Sequence, residues 1–145
     1  MSGEKMCTVL EGCVQDLQGL LALDELVFGP EAEKERLEAA VRSGECMVAR
    51  EDEAISGFAL WDRSFFGQAF ISLVVVHPKY RRRHVAKTLV GLIEAVCSVD
   101  KIFTSVRESN TAARRMVEGL GYAESGWIGN LHEGEKEIVY IKKLG

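Results

Sequence analysis

A chain of 145 residues, 47% hydrophobic and 28% charged, carries enough apolar material for a buried core and too much for a disordered tract. Its formal net charge of −4 works against nucleic-acid binding, which needs a surplus of Lys and Arg to neutralise phosphates. The opening Met-Ser-Gly-Glu-Lys has no apolar leader and nowhere do 18 apolar residues run together, so a cytoplasmic protein without membrane contact is expected.

No repeat or Pro/Gly/Ser-rich linker divides the sequence, and residues 1–145 are expected to form one domain, working alone or as a homodimer. The four cysteines, Cys7, Cys13, Cys46 and Cys97, have neither the close pairing of a zinc site nor the density of a disulfide scaffold. They read as buried free thiols, and no metal site is expected.

Cys7 to Leu10 form a short apolar run suited to a first strand, after which Val14, Leu17, Leu20, Leu21 and Val27 recur at roughly helical spacing. Gly29-Pro30 followed by Glu31, Glu33 and Glu35 predicts a second helix start, with Pro in the first turn and carboxylates near the positive dipole end. Leu37, Ala40 and Val41 are its apolar stripe. From Cys46 the period changes to that of strands. Cys46–Ala49, a polar turn at Glu51-Asp52-Glu53, and Ile55–Trp61 predict a hairpin, followed by a third strand at Phe70–Val76. The near-continuous Ile71, Leu73, Val74, Val75 and Val76 implies burial on both faces and a central place in a sheet covered by helices.

Val85, Leu89, Leu92, Ile93 and Val96 fall on one face of an amphipathic helix. Ile102–Val106 reads as a strand, Ala113, Met116, Val117 and Leu120 as a helical stripe ended by Gly121, and Ile138–Leu144 as the last strand. The predicted order is β-α-α-β-β-β-α-β-α-β-β, an α/β (α+β) sandwich.

Between the central strand and the helix that follows it, Lys79, Arg81, Arg82, Arg83 and Lys87 place five cations within nine positions. The start of a helix presents unpaired N–H groups and the positive end of its dipole, where cations are unfavourable unless an anion offsets them. A phosphate or pyrophosphate site is therefore expected here.

This segment resembles the GNAT acetyltransferase family, whose signature is Gln/Arg-x-x-Gly-x-Gly/Ala between a buried strand and a helix. Arg81-Arg82-Arg83-His84-Val85-Ala86 fits at Arg81 and Ala86, with His84 in place of the first glycine. Asn110-x-x-Ala113-x-x-Met116-Val117-x-x-x-Gly121-Tyr122 resembles the family's Asn-x-x-Ala-x-x-Leu/Phe-Tyr-x-x-x-Gly-Phe, and Ala54–Ala59 its third strand. The resemblance implies a mixed sheet of about six to seven strands flanked by about four helices. It also implies an N-acetyltransferase that moves acetyl from acetyl-CoA to an amine of a small molecule or protein, the alternative being a non-catalytic CoA-binding or sensing module. Val74, Val75 and Val76 would lend main-chain groups to the pantetheine arm, and Arg81, Arg82, Arg83, His84, Val85, Ala86 and Lys87 would hold the pyrophosphate. Asn110 would bond the cofactor near its thiol.

The family's frequent general acid is a Tyr where this chain has Val117, and many members place a Glu on the central strand where this chain has Ser72 and Leu73. A thiol with a pKa of about 8.5 leaves tolerably as thiolate, so the missing acid is the smaller loss. An amine with a pKa of about 10.4 costs roughly 4–5 kcal/mol to neutralise at pH 7, and a base or desolvation would matter more. Asp62, His132 and Tyr140 are replacement candidates, and no catalytic base is assigned. Trp61, Phe65, Phe66 and Trp127 are candidates for an apolar acceptor groove.

Overall fold

The computed structural model describes residues 7–81 and 84–145. Among the described residues seven strands follow the order β1-β2-β3-β4-β5-β7-β6, and with four α-helices they make the mixed α/β architecture expected from the element order. The chain clusters as two compact units, one of residues 1–61 and 73–96, the other of residues 62–72 and 97–145.

In the first unit, β1 (Cys7–Glu11), β2 (Cys46–Glu51) and β3 (Ala54–Phe65, to Trp61 in this unit) pair antiparallel. The last four residues of β4 (Gln68–Val76) also belong here. One face of these strands buries Cys46, Val48, Phe58, Leu60 and Val75 against Leu20 and Leu23 of α1 (Leu17–Phe28) and Leu37 and Val41 of α2 (Lys34–Arg42). α3 (Val85–Val96) packs through Val85, Leu89, Val90 and Ile93. Gly57 makes that docking close: a Cβ there would lie 2.6 Å from the Val75 carbonyl oxygen and 2.9 Å from Val85. Only glycine fits so near a neighbouring backbone. Consecutive residues of a strand face opposite sides, so Gly57 opens toward α3 while Phe58 fills the α1–α2 side.

The second helix starts later than its sequence predicts. Gly29, at φ 57°, ends α1, and Pro30 lies in a single 3-10 turn, so the helix proper begins at Lys34. Val14 sits in another 3-10 turn and is exposed rather than part of the α1 stripe.

In the second unit the start of β4 runs parallel to β5 (Lys101–Arg107), pairing Phe70 with Phe103 and Ile71 with Thr104, whose hydroxyl donates to the Ile71 carbonyl at 2.8 Å. β7 (Glu135–Lys143) pairs antiparallel with the whole of β5 and with β6 (Ala123–His132). α4 (Thr111–Gly119) buries Val117. The β3–β4 turn is the pair Phe66-Gly67, both left-handed at φ 53° and 76°, the geometry that suits the twist of a two-residue hairpin.

Candidate functional site

In the first unit β4 leads into the basic turn. The His77 N–H donates to the Ser56 carbonyl at 2.8 Å, and its Nδ1 accepts the Lys79 N–H at 3.0 Å, capping the 3-10 turn Pro78–Tyr80. Tyr80 is buried with its ring edge-on to His77, which fixes the direction in which the chain leaves the strand. Arg81 is extended and exposed. Arg82 and Arg83 lie outside the described residues.

His84 takes φ 60°, the left-handed conformation that glycine supplies in the family signature. Its carbonyl accepts both the N–H (3.0 Å) and the hydroxyl (2.9 Å) of Thr88, so the first turn of α3 is tied to His84 through the main chain. Val85 anchors that turn in the core while His84 and Lys87 stay exposed. The N–H groups of Val85, Ala86 and Lys87 open the helix and have no acceptor within it. Exposed cations, three donors without an acceptor inside the helix and a helix dipole thus fall on one turn, an arrangement suited to a polyphosphate. Val74, Val75 and Val76 precede it on β4, with Val75 buried toward Phe58 and its neighbours half-buried.

In the second unit Asn110 caps α4, its Oδ1 accepting the Ala113 N–H at 3.1 Å; its side-chain amide has no partner among the described residues. Val117 is core, and its carbonyl accepts the Tyr122 N–H as the helix closes around Gly121.

The three replacement candidates for a base are each engaged in the same unit. Asp62 Oδ1 accepts the N–H and hydroxyl of Ser64, at 2.9 and 2.6 Å. His132 lies between Arg107 (Nδ1, 3.0 Å) and Glu137 (Nε2, 2.7 Å). An arginine only donates, so Nδ1 accepts and Nε2 donates, leaving no ring nitrogen free. Tyr140 is fully buried, accepts from Arg114 at 3.1 Å and donates to Glu118 at 3.0 Å; burial pushes its phenol above the usual tyrosine value. The aromatic candidates for an acceptor groove also diverge. Phe65 stacks on Phe70 at 5.0 Å, whereas Phe66 is 88% exposed and Trp127 59% exposed beneath the Lys136 ammonium. Trp61 belongs to the other unit.

Of the thiols, Cys46 and Cys97 are buried and free as expected, with Cys46 pushed up to about 12 by burial, whereas Cys13 is exposed. Its segment leaves β1 through a surface 3-10 turn, and neither apolar neighbours nor spacing could have shown that in the sequence. Among the described residues no helix is long and apolar enough to cross a membrane.

One buried carboxylate in the first unit belongs to no motif. Asp24, on α1, is 4% exposed and accepts the Glu33 N–H at 3.2 Å; desolvation raises its carboxyl above the usual aspartate value. The signal for it lies in the helical stripe: Asp24 is four residues after Leu20, so the position that points inward carries an acid.

The sequence model described as the acetyltransferase (GNAT) family matches residues 14–122. Over 77 residues the chain is 35% identical to the catalytic subunit of the N-terminal acetyltransferase B complex of Arabidopsis thaliana, a match covering 50% of this chain and 44% of that protein. A GNAT-family acetyltransferase from Bacillus cereus superposes with a TM-score of 0.90 at 33% identity, covering 95% of this chain and 97% of that one. Arabidopsis thaliana Naa50, solved with the bisubstrate analogue CoA-Ac-MVNAL, shares the fold with a TM-score of 0.75 at 18% identity, over 94% of this chain and 98% of that one. The chain belongs to the GNAT acetyltransferase family.

Proposed function

We propose that acetyl-CoA lies along the second half of β4, with its pyrophosphate on the Arg81–Lys87 turn, and that acetyl passes directly to an amine without a covalent enzyme intermediate. The observation that carries this reading is His84 at φ 60°, directly before the first N–H groups of α3, those of Val85, Ala86 and Lys87, which have no acceptor within the helix. A backbone turned left-handed at that point leaves those donors aimed outward at one small volume. Val74–Val76 would then follow the pantetheine arm, placing the thioester toward Leu73 and Ser72, and Asn110 would donate its free amide to the cofactor near the thiol.

The amine attacks the thioester carbonyl carbon, the C–S bond breaks and CoA leaves as thiolate. No side chain at the position of Val117 can protonate it, and with a thiol pKa of about 8.5 none is required near neutral pH. Asp62, His132 and Tyr140 are each held by neighbouring groups and none is assigned as a base, so in this reading the acceptor enters as the neutral amine or loses its proton to solvent. Transfer should therefore rise with pH toward the amine's own pKa, about 10.4 for a lysine-like group. Positioning supplies the rate enhancement.

The enzyme works on free amines and not on nucleic acid, consistent with its net charge of −4, as a monomer or homodimer. Its buried free thiols Cys46 and Cys97 and exposed Cys13 suit a reducing cytoplasm. The test is acetyl transfer from acetyl-CoA to a panel of primary amines, including alkylamines, diamines and peptide N-termini, followed between pH 6 and 10. Transfer that climbs with pH is expected. A bell-shaped profile with a limb near neutrality would reveal an enzymic base and overturn the direct, base-free reading.

A further inference from the structure

Within the first unit, α1, α2, β3 and β4 enclose a cavity of about 120 Å³, walled by Phe28, Leu37, Phe58, Leu60 and Leu73 around Asp24. Asp24 is 4% exposed, and while its Oδ2 accepts the Glu33 N–H, its Oδ1 has no hydrogen-bond partner among the described residues. A carboxylate so largely withdrawn from water favours a cation beside it. Glu33, just before α2, and Arg36 on α2 also border the cavity and pair with each other at 2.9 Å, and each charge also acts on Asp24, Glu33 raising its carboxyl pKa and Arg36 lowering it.

Leu73 places this cavity relative to the cofactor track. It immediately precedes Val74–Val76, while the basic turn lies beyond the other end of that run. A cofactor with its pyrophosphate on the turn and its pantetheine along the strand would bring its thioester to the Leu73 end. Ser72 and Leu73 stand where many family members carry a strand Glu, and Asp24 offers a carboxylate from α1 instead.

We infer that this cavity is a specificity subsite for the acceptor and that it takes a short alkylammonium group, whose charge meets Asp24 and whose methylenes meet the apolar wall. The inference rests on the acetyl-transfer reading above. A carboxylate beside an ammonium holds its proton in place, so the nitrogen bound here is not the one acetylated. The acceptor class is therefore a molecule with two amino groups separated by a short apolar chain, either a free diamine or a basic residue with its own α-amine. One nitrogen is anchored at Asp24 and the other, neutral, attacks the thioester carbon and expels the CoA thiolate.

The test uses calorimetry with n-pentylamine and 1-pentanol on the wild type and on Asp24→Asn. Asparagine keeps an oxygen to accept the Glu33 N–H, so the variant retains the local bond and loses the charge. The amine should bind at least tenfold more tightly than the alcohol, and the variant should lose that preference while its CoA affinity is unchanged. In turnover, 1,5-diaminopentane should exceed n-pentylamine at least tenfold in kcat/KM, again only with Asp24, and mainly through KM. A peptide beginning with lysine compared with one beginning with norleucine separates a basic-residue acceptor from a free diamine. Equal binding of amine and alcohol by the wild type, or an undiminished preference in Asp24→Asn, would overturn the subsite. Asp24-dependent amine binding with no CoA binding or transfer would leave the subsite standing and remove the acetyl-transfer placement instead.

Discussion

His84 shows how a residue that breaks a sequence pattern can keep the geometry the pattern encodes. The signature's glycine permits φ > 0, and His84 adopts 60° with its imidazole exposed. A non-glycine residue in this region typically costs about 1–2 kcal/mol, histidine being among the less penalised. What the turn requires of this position is main chain: its carbonyl holds Thr88, and its φ exposes the N–H groups behind it. His84→Gly should therefore change CoA affinity by less than tenfold, or 1.4 kcal/mol. A larger loss in a titration with CoA would make the imidazole itself a phosphate-binding group. The presence of a cationic turn was legible in the sequence because charge at a helix start is unusual. The left-handed backbone became visible only in the fold. Asp24 was illegible for a different reason: as one of 22 acidic residues it bears no spacing mark beyond its place in the α1 stripe.

At the scale of elements, α4 separates a capping role from a binding one. Asn110 uses Oδ1 to close the helix and leaves its amide unpartnered. Asn110→Asp retains a competent cap, adds a favourable charge at a helix N-terminus and deletes the amide donor. Stability should stay within about 1 kcal/mol of wild type by denaturant melt while CoA affinity falls. An unchanged affinity would reduce Asn110 to a cap. The order of strands and helices was readable throughout, because strand and helix periods differ and β4 carries an almost unbroken apolar run. Boundaries were less so. The Glu-rich segment after Pro30 has helix-start chemistry, yet the backbone completes a 3-10 turn first, and α2 waits until Lys34. Exposure of the hairpin tips was equally hidden: Phe66 reads as core by composition, but a two-residue turn leaves it no wall to pack against.

For the whole molecule, the activity follows from a common scaffold, and what is particular to this chain lies in the substitutions it tolerates. Valine replaces the usual acid at residue 117, leucine stands at residue 73 and histidine at residue 84, while Gly57 and Tyr80 hold β3, β4 and the basic turn in place. The first two remove a side-chain function and the third adds a side chain, while all three leave the main chain in place, so a cofactor bound mainly through backbone N–H groups should still be held. The most direct test is the melting temperature of the wild-type protein with increasing CoA. At about 100-fold above the dissociation constant, binding to the folded state alone adds about 2.7 kcal/mol, and the midpoint should rise by roughly 5–11 °C. An unchanged melting temperature at millimolar CoA would contradict the assignment of the Arg81–Lys87 turn as the cofactor's pyrophosphate site.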